Sequence, residues 1–471
     1  MFYRLKPEYA LRGWEKFSCA LVRRPDNAVK ALSREVFQAL LLCDGETELS
    51  EERLDKRLSA ALSQCEKEGW TERRRTPDPI GADQAYRYYK NRYVDHVFWS
   101  VTGRCNFRCR HCFMDAPEGA LGELSTEEAL ALIDEMAACG VLRVNLTGGE
   151  PLVRRDFWQL VDRIVSYKMT IGMVYTNGWL LNEHVLDEFE RRGLKPEFSL
   201  SFDGVGWHDW MRGVPGAEDA ALRAMRLCKA RDFRTNAEMC VHRGNADTLA
   251  QTVEVLREAG AHALKTGGVT MTDLWKRNHG GNALSDVEYY NAMLRYIPQY
   301  YEAGCPIDIV LGGIIILNRD GSYRIVADRY DGTEKALDCH LCGAVRWSSY
   351  ITPEGRLLPC IAMTSSQEQY RFPKVQDIGL KQGLSDSYYM RFVDNRVKDL
   401  LAVNAECAAC EYRLKCGGGC RAGALLGGDH SLMGCDRGMC FLWKEGFAER
   451  IRQVAEEARE HYGQNHAGAV E

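Results

Sequence analysis

Three cysteines within eight residues constrain this chain more than any other feature of its sequence. Residues 103–113 read GRCNFRCRHCF, which spaces the thiols as Cys105-x3-Cys109-x2-Cys112. Four thiolates complete a tetrahedral zinc site or an ordinary iron–sulfur cluster, so three leave one metal position open to an outside ligand. The alternatives for this motif by itself are a zinc knuckle and a patch of reactive thiols.

The number of cysteines also calls for an explanation, because the chain has 19 of them in 471 residues. Three lie at 105–112, nine lie between 339 and 440, and the other seven are scattered singly. We see no signal peptide at the N-terminus, and the longest apolar run, 309–317, is far shorter than the roughly 20 residues of a membrane-spanning helix. We therefore expect a cytoplasmic protein, in which metal ligation explains the cysteines better than disulfides do.

The net charge of −5 and the sequence pI of about 6.2 exclude one class of partner. A protein that binds a polyanion usually carries a basic surface, and this composition predicts none. We expect neither nucleic acid nor a membrane as a partner.

Strand-like and helix-like segments alternate after the first cysteine cluster. The strand candidates are residues 96–101, 142–147, 169–176, 197–203, 235–242 and 262–266. Amphipathic segments separate them, as in STEEALALIDEMAACG, where Ser125 and Glu128 form a capping-box pattern and Gly140 supplies the stop. Six such units predict an α/β fold with a parallel sheet, either open or curled into a partial (β/α)6, TIM-like barrel.

The most informative short motifs follow the predicted strands directly. The Cys105 cluster follows the first strand, and TGGEP (147–151), TNG (176–178) and SFDG (201–204) follow the next three. Ligands of parallel sheets bind at the carboxyl ends of the strands, so we expect these motifs to share one site.

Residues 1–90 look like a separate module. Segments 3–9 and 18–25 are strand-like, and two amphipathic segments predict helices that end at Gly45 and Gly69. This content suggests a small winged-helix-like module, and its mixed charges weigh against DNA binding. We interpret residues 84–95 as a linker to the barrel.

The C-terminal cysteines also follow a regular pattern. It reads Cys339-x2-Cys342-x12-Gly355-x4-Cys360, then Cys407-x2-Cys410-x5-Cys416-x3-Cys420, then Cys435 and Cys440. A pair of structural zinc sites is the alternative to iron–sulfur clusters here. Zinc has no redox chemistry, so it could hold these loops together but could not carry electrons.

The motifs of residues 95–270 together resemble the radical S-adenosylmethionine (SAM) superfamily. The resemblance implies that Cys105, Cys109 and Cys112 hold a [4Fe–4S] cluster whose open iron is chelated by SAM. Electron transfer then cleaves SAM to a 5′-deoxyadenosyl radical. The residues implied to line the SAM pocket are Gly148, Gly149, Glu150, Asn177, Ser201, Asp203 and His111.

The C-terminal pattern resembles the SPASM extension of radical SAM enzymes, which holds two auxiliary [4Fe–4S] clusters. The resemblance implies Cys342, Cys360 and Cys420 as ligands of the first cluster, with Cys339 as the fourth. The alternative is that Cys339 is free and that this cluster keeps an open iron for a substrate thiol. It implies Cys407, Cys410 and Cys416 for the second cluster, together with a late cysteine. We predict Cys440 as that ligand, because it precedes an amphipathic segment, and Cys435 as the spare thiol.

The N-terminal module resembles in size, order and position the PqqD-like element of enzymes that modify ribosomally made peptides. In those enzymes a leader peptide adds as a strand to the small sheet. We divide the chain into the PqqD-like module (1–90), the radical SAM partial barrel (91–310), a bridge with the SPASM domain (311–450) and a C-terminal tail (451–471).

The resemblances together predict a peptide maturase of the sactipeptide or ranthipeptide kind. It would abstract hydrogen from a precursor peptide and install a crosslink, a thioether first and a carbon–carbon bond next. The expected partners are that peptide and an electron donor such as flavodoxin or ferredoxin. The alternatives are a sulfatase-maturase-like or small-molecule dehydrogenase, a peptide epimerase with Cys240 as hydrogen donor, and a zinc-dependent winged-helix regulator.

Overall fold

The computed structural model describes residues 1–49, 55–114, 119–427 and 429–466. The described part of residues 1–92, here called the N-terminal unit, contains seven strands and two helices. The strands are β1 (Phe2–Leu5), β2 (Tyr9–Glu15), β3 (Phe17–Arg23), β4 (Ala28–Ala31), β5 (Asp44–Glu48), β6 (Thr71–Arg74) and β7 (Arg87–Arg92). The helices are α1 (Arg34–Leu41) and α2 (Lys56–Lys67).

The N-terminal unit contains two small sheets. One has the order β5-β1-β6 with antiparallel pairing, and the buried faces of α1 and α2 pack on it around Leu5, Leu40 and Cys65. The other has the order β4-β3-β2-β7, and β7 runs parallel to β2. The unit thus has more strands than the sequence predicted.

Three local predictions for this unit need correction. Helix α1 ends at Leu41, and Gly45 lies inside β5, where the backbone of Asp78 fills the place of a side chain. The supposed linker 84–95 contains β7, because its backbone pairs with β2. The second predicted helix is observed as α2 with Asp55 as its N-cap, although residues 50–54 lie outside the described part.

Buried polar contacts fix the N-terminal unit to the rest of the chain. The indole Nε1 of Trp14 donates to the carbonyl of Cys139 (3.2 Å), and the Asn27 amide donates to the carbonyls of Leu142 (3.0 Å) and Lys168 (2.9 Å). Leu142 and Lys168 immediately precede central strands. The unit therefore sits at the amino ends of those strands.

An eleven-stranded sheet forms the centre of the molecule. Its strands are β8 (His96–Ser100), β9 (Arg143–Thr147), β10 (Thr170–Thr176), β11 (Glu197–Ser201), β12 (Thr235–Val241), β13 (Ala263–Gly268), β14 (Asp308–Leu311), β15 (Ile315–Leu317), β16 (Tyr323–Ile325), β17 (Ser348–Ile351) and β18 (Leu357–Leu358). Strands β8 to β14 follow one another in parallel, and this confirms the α/β class and all six predicted strands. The edge strands β14 to β16 pair antiparallel, while β17 joins β8 in parallel.

Helices connect and flank these strands. In the first two thirds of the chain they are α3 (Thr126–Ala138), α4 (Phe157–Ser166), α5 (Glu183–Arg191), α6 (His208–Arg212), α7 (Ala217–Ala230), α8 (Leu249–Ala259), α9 (Asp273–His279) and α10 (Asp286–Glu302). The predicted capping box is present at α3, where Ser125 and Glu128 bond reciprocally.

The C-terminal third contains mostly short helices joined by loops that carry cysteines. They are α11 (Val375–Ile378), α12 (Leu380–Gly383), α13 (Tyr388–Val393), α14 (Val397–Val403), α15 (Ala405–Ala409), α16 (Arg413–Cys416), α17 (Arg421–Leu426), α18 (Arg437–Lys444) and α19 (Phe447–His466). Since β14–β16 and β17–β18 occupy opposite ends of the sheet, this part of the chain spans both edges. Within the described residues, no helix is both long and apolar enough to cross a membrane.

The two faces of the central strands differ in polarity. On β12, Ala237, Met239 and Val241 are buried and join the main hydrophobic core, while Asn236, Glu238 and Cys240 point to the opposite face and stay half-buried. We call this second, polar face the lumen face. It is where side chains at the strand ends can meet a ligand.

Candidate functional site

The loop after β8, residues 104–112, carries the three clustered cysteines and is here called the cluster loop. All three thiols are free and half-buried. Helix α6 holds the backbone of this loop, since Arg108 N donates to the Arg212 carbonyl (3.2 Å) and Arg110 N to that of Met211 (2.9 Å). The cluster loop is therefore a supported element and not a free turn.

Few protein groups stabilise a negative charge on these sulfurs. The backbone N–H of Phe107 donates to Cys105 Sγ (3.4 Å), and Arg212 Nη1 lies 3.8 Å from Cys109 Sγ. Burial nevertheless raises the pKa of Cys105 to about 12, and it raises that of Cys109 although Arg212 opposes it. Ionised thiolates at this loop thus require a further positive partner, as a metal centre supplies.

A group of possible ligand atoms lies at the cluster loop. Among the described residues, one set of three His, Cys, Asp or Glu ligand atoms lies within 4.8 Å of one another, and it is His111, Asp203 and Cys240.

The glycine pair after β9 packs directly against the cluster loop. Gly149 N donates to the Thr102 carbonyl (2.9 Å), and Glu150 N donates to that of Arg104 (2.9 Å). A Cβ at Gly148 would lie 2.6 Å from the Thr102 oxygen, and one at Gly149 would overlap the Arg104 carbonyl. Only glycine allows this approach of the two backbones.

The carboxylate of Glu150 is buried and bonded within the protein. It accepts from Thr176 Oγ1 (2.9 Å), Asn177 N (2.8 Å) and Leu152 N (3.2 Å). Burial raises the pKa of Glu150 to about 7, although these hydrogen bonds lower it. The side chain of Glu150 therefore ties the turn after β9 to the end of β10.

Asn177 and Ser201 stand at the ends of the next two strands. The Asn177 amide donates to Asn106 Oδ1 (2.8 Å) and lies 3.9 Å from Cys105 Sγ. Ser201 is half-buried on the lumen face and pairs in register with Glu238, which in turn pairs with Lys265. Glu238 and Lys265 form an ion pair of 3.4 Å. The row of Ser201, Glu238 and Lys265 across β11, β12 and β13 therefore ends in two charged side chains.

Asp203 is a fully buried hub of the site. Its carboxylate accepts from Arg212 Nε (2.6 Å) and from Cys240 N (3.0 Å), and its own N–H donates to His208 Nδ1 (2.9 Å). Burial favours the neutral acid, but Arg212, His208 and His111 together outweigh it and hold the pKa of Asp203 well below its usual range. Asp203 is thus an anion inside the protein.

His111 and Cys240 complete the group around Asp203. The ring of His111 is kept neutral, since burial and the nearby Arg212 charge lower its pKa to about 4, and its Nδ1 has no hydrogen-bond partner among the described residues. Burial raises the pKa of Cys240 to about 12. The site therefore presents a neutral imidazole and a neutral thiol beside the cluster loop.

Arg212 was absent from the sequence-based set of site residues. It lies on α6, whereas the sequence pattern predicts ligand-binding residues at the carboxyl ends of strands. Its only sequence signal is its position 11 residues after Ser201 in SFDGVGWHDWMR.

The late cysteines gather in two places. Five of them line one pocket together with Tyr412 and Trp443, and these are Cys407, Cys410, Cys416, Cys435 and Cys440. The other group is near Cys360, whose pKa is raised to about 11 by burial and further by Cys420 and Cys342. Cys339 is exposed, and its thiol contacts the Lys335 carbonyl (3.5 Å).

Two charged residues organise these loops. Arg421 is buried and donates to the carbonyls of Leu432 (3.0 Å) and Gly434 (2.9 Å). Asp436 caps α18 and accepts from Cys420 N (2.7 Å). Both therefore connect the 416–420 loop to the segment that carries Cys435 and Cys440.

Comparison with known proteins gives a family and several relatives. A family model for the radical SAM superfamily matches residues 99–256. The PqqA peptide cyclase of Granulibacter bethesdensis is 29% identical over 343 residues, which span 70% of this chain and 83% of that protein. The AdoMet-dependent heme synthase of Methanosarcina barkeri is 26% identical over 341 residues, which span 70% of this chain and 91% of that protein.

A solved structure extends the comparison to the N-terminal unit. Streptococcus suis SuiB bound to precursor peptide SuiA matches with a TM-score of 0.63 at 15% identity, covering 93% of this chain and 100% of that chain. At this identity the likeness concerns the fold. The uncovered 7% of this chain is shorter than its first 90 residues, so the shared fold extends into the N-terminal unit.

The matched segment contains the cluster loop, the glycine turn, Asn177 and Asp203, which the structure brings to one end of a parallel sheet. Residues 99–256 are therefore a radical SAM domain, of a family that uses S-adenosylmethionine and a [4Fe–4S] cluster, and the chain that carries it is an enzyme.

Proposed function

We propose that this enzyme modifies a ribosomally made precursor peptide, with a thioether crosslink as the first candidate product and a carbon–carbon bond as the next. One observation carries the proposal: a radical SAM domain is fixed to an N-terminal unit whose three-stranded sheet has β6 as an edge strand. The names of two relatives fit it, since one is a PqqA peptide cyclase and SuiB was solved with a precursor peptide.

The strand at one edge of this sheet is β6, which pairs with β1 in the order β5-β1-β6. On the other side of the sheet, residues 78–80 cover β5, because Asp78 N and Ile80 N donate to the carbonyls of Gly45 (2.8 Å) and Asp44 (2.9 Å). An extended leader peptide adds to an edge strand such as β6 by main-chain hydrogen bonds, which hold the rest of the peptide near the lumen.

We assign the SAM cluster to Cys105, Cys109 and Cys112. Gly148, Gly149, Glu150, Asn177, Ser201, Asp203 and His111 are assigned to the SAM pocket. When bound, the cluster and SAM supply a 5′-deoxyadenosyl radical that removes a hydrogen atom from the substrate. The free thiols of the cluster loop, the glycine turn against it and the unpaired Nδ1 of His111 support this assignment.

Side chains of the lumen face bind the peptide substrate in this proposal. Glu238 and Lys265 extend the row that begins at Ser201, and their partly exposed side chains give a peptide a carboxylate and an ammonium to bind. Glu238 also supplies an oxygen that can take a proton from a substrate thiol or amide.

We assign two auxiliary [4Fe–4S] clusters to the SPASM-like region. The first takes Cys339, Cys342, Cys360 and Cys420, and the second takes Cys407, Cys410, Cys416 and Cys440. In this scheme the N-terminal module is 1–90, the radical SAM barrel 91–310, the bridge and SPASM domain 311–450 and the tail 451–471. A flavodoxin or ferredoxin supplies electrons in the cytoplasm, where reducing conditions keep the thiols available.

A second candidate function is peptide epimerisation. It is favoured by Cys240, whose sulfur lies within 4.8 Å of ligand atoms of His111 and Asp203 beside the cluster loop. A thiol in this place is positioned to return a hydrogen atom to a peptide Cα. A sulfatase-maturase-like or small-molecule dehydrogenase is the remaining alternative, and it leaves the edge strand β6 without a role in substrate binding.

The experiment uses the reconstituted enzyme under anaerobic conditions with SAM, a low-potential reductant and the peptide encoded by the short reading frame beside its gene. We expect the peptide to lose the mass of two hydrogen atoms. Alkylation then identifies the bond, because a thioether consumes one free thiol whereas a carbon–carbon bond consumes none. An unchanged mass with deuterium gained from heavy water identifies the epimerase, and an unmodified peptide contradicts the proposal.

A further inference from the structure

Helix α6 brings a cation to a sulfur of the cluster loop. Arg212 Nη1 lies 3.8 Å from Cys109 Sγ, while its Nε donates to Asp203 at 2.6 Å. The Arg212 side chain is 11% exposed and that of Asp203 is fully buried. We infer that Arg212 is a positioning residue that holds Cys109 and favours the reduced state of the cluster at Cys105, Cys109 and Cys112, an inference that rests on the proposed cluster site.

The position of Arg212 is fixed before any cofactor binds. The carboxylate of Asp203 accepts from the backbone N–H of Cys240 (3.0 Å), and the backbone N–H of Asp203 donates to His208 Nδ1 (2.9 Å), so both parts of this residue are held in place. The carbonyl of Arg212 also accepts from Arg108 N in the cluster loop. With Nε of the planar guanidinium held by Asp203, Nη1 has a defined direction, here toward Cys109.

Electrostatics gives the sign of the effect on the cluster. Reduction adds one negative charge to an iron–sulfur cluster, so a nearby cation stabilises the reduced form and a nearby anion destabilises it. The effect is strong here because the charges of Arg212 and Asp203 are both shielded from water. Removing the cation should therefore lower the reduction potential, and neutralising Asp203 should raise it.

Arg212 fits this role better than Arg110, an arginine of the cluster loop next to Cys109. The guanidinium of Arg110 stacks on Trp210 (4.8 Å) and contacts His279 (3.2 Å). Arg110 thus directs its charge toward an aromatic cluster, and it offers a matched control with the same change in net charge.

The test is a redox titration followed by electron paramagnetic resonance on the reconstituted full-length enzyme. The relevant cluster is the one whose signal changes on addition of S-adenosylmethionine, and its potential is measured without it. For R212M we expect at least a tenfold lower ratio of reduced to oxidised cluster at a fixed solution potential, which corresponds to about 59 mV for a one-electron couple. For D203N we expect a higher ratio, and for R212K a value between those of the parent and R212M.

Each outcome decides the inference. A parent-like potential in R212M, or a lowered potential in D203N, overturns it, as does a shift in R110M as large as that in R212M. If R212M fails to bind iron, the opposite shifts of R212K and D203N still test the sign. A parent enzyme with no SAM-responsive cluster contradicts the proposed cofactor site instead, so the two failures are distinguishable.

Discussion

The Sγ atoms of Cys407 and Cys435 lie 3.4 Å apart in the pocket that also contains Cys410, Cys416 and Cys440. Two thiolates on a single tetrahedral ion are ~3.8 Å apart, and thiolates on different irons of a cube are farther apart still. The two sulfurs are thus closer to each other than two ligands of one [4Fe–4S] cluster. In the scheme proposed above, four of the five thiols hold the second auxiliary cluster and one is its neighbour.

We predict that Cys440 is the ligand and Cys435 is the neighbour. Single alanine variants are compared in a background that lacks the three cysteines of the cluster loop, so that all bound iron belongs to the auxiliary sites. We expect Cys440→Ala to lose about half of this iron and Cys435→Ala to retain it, as iron and sulfide analysis per chain will measure. Retention in Cys440→Ala with loss in Cys435→Ala reverses the assignment.

Replacing Cys105, Cys109 and Cys112 together with alanine should abolish reductive cleavage of SAM. No other protein ligands are proposed for the first cluster, and the late cysteines form separate sites, so the C-terminal iron should remain. Production of 5′-deoxyadenosine with dithionite is the readout, and Cys19→Ala, a cysteine of β3, is the control. Undiminished 5′-deoxyadenosine in the triple variant would remove the assignment.

The role of β6 is tested by a proline on its outer edge. Lys6 N donates to the Trp70 carbonyl (3.0 Å) and Thr71 lies opposite Leu5, so alternation turns the backbone N–H of Thr71 away from β1. Thr71→Pro hinders strand addition at this edge without removing a bond to β1. We expect turnover of a full-length precursor to fall at least tenfold, while SAM cleavage without peptide is unchanged.

The matched control for this prediction is Thr71→Ala, which removes the same side chain but keeps the N–H. Deleting residues 1–85 should have the same effect on turnover, although it also removes Trp14, which is buried against the barrel. Parent-like turnover in Thr71→Pro and in the deletion would mean that the N-terminal unit does not bind a leader.

Glu150 should make stability depend on pH. Its pKa is raised from 4.5 to about 7, so between these values the folded state holds a proton that the unfolded state has lost. The free energy of unfolding then falls as pH rises through this window, by about 3 kcal/mol in total. Urea unfolding of the cluster-free, reduced protein at pH 5 and pH 7.5 measures this slope.

Glu150→Gln keeps the size of the side chain and removes the titration. We expect this variant to lose most of the stability difference between the two pH values. An equal slope in the parent and the variant would show that other groups cause the dependence.

Cys240 is tested as a hydrogen donor by incubating enzyme and peptide in deuterium oxide. An epimerase labels a peptide Cα with deuterium, and Cys240→Ala should abolish this label while 5′-deoxyadenosine still forms. Absence of label in the parent removes the epimerase candidate, and this result leaves the crosslinking proposal intact.

Much of the fold was predictable because it is encoded in local patterns. All six βα strands were found within one or two residues, since alternation and turn residues repeat in each unit. The cysteine spacings and the TGGEP, TNG and SFDG motifs also pointed to one end of a parallel sheet, and the structure brings them there. The roles of their residues remain predictions.

The errors of prediction occurred where distant parts of the chain meet. Residues 87–92 look like a polar linker, yet they form β7 because β2 offers them an edge. Gly45 resembles a helix stop, but it lies in β5, where the backbone of Asp78 leaves no room for a side chain. Partners 33 to 77 residues away decide these segments, and no local pattern contains that information.

The sequence by itself determined the chemistry that this chain can perform, because metal-binding thiols, glycine turns and strand periodicity depend on residue type and spacing. Only the tertiary structure decided which charges act on that chemistry. Arg212 reaches Cys109 and Asp203 because α6 packs against the cluster loop, and Cys435 reaches Cys407 because Arg421 and Asp436 join two loops. Electrostatic and hydrogen-bond energies depend on distance in space, and folding sets that distance between residues that are far apart in sequence.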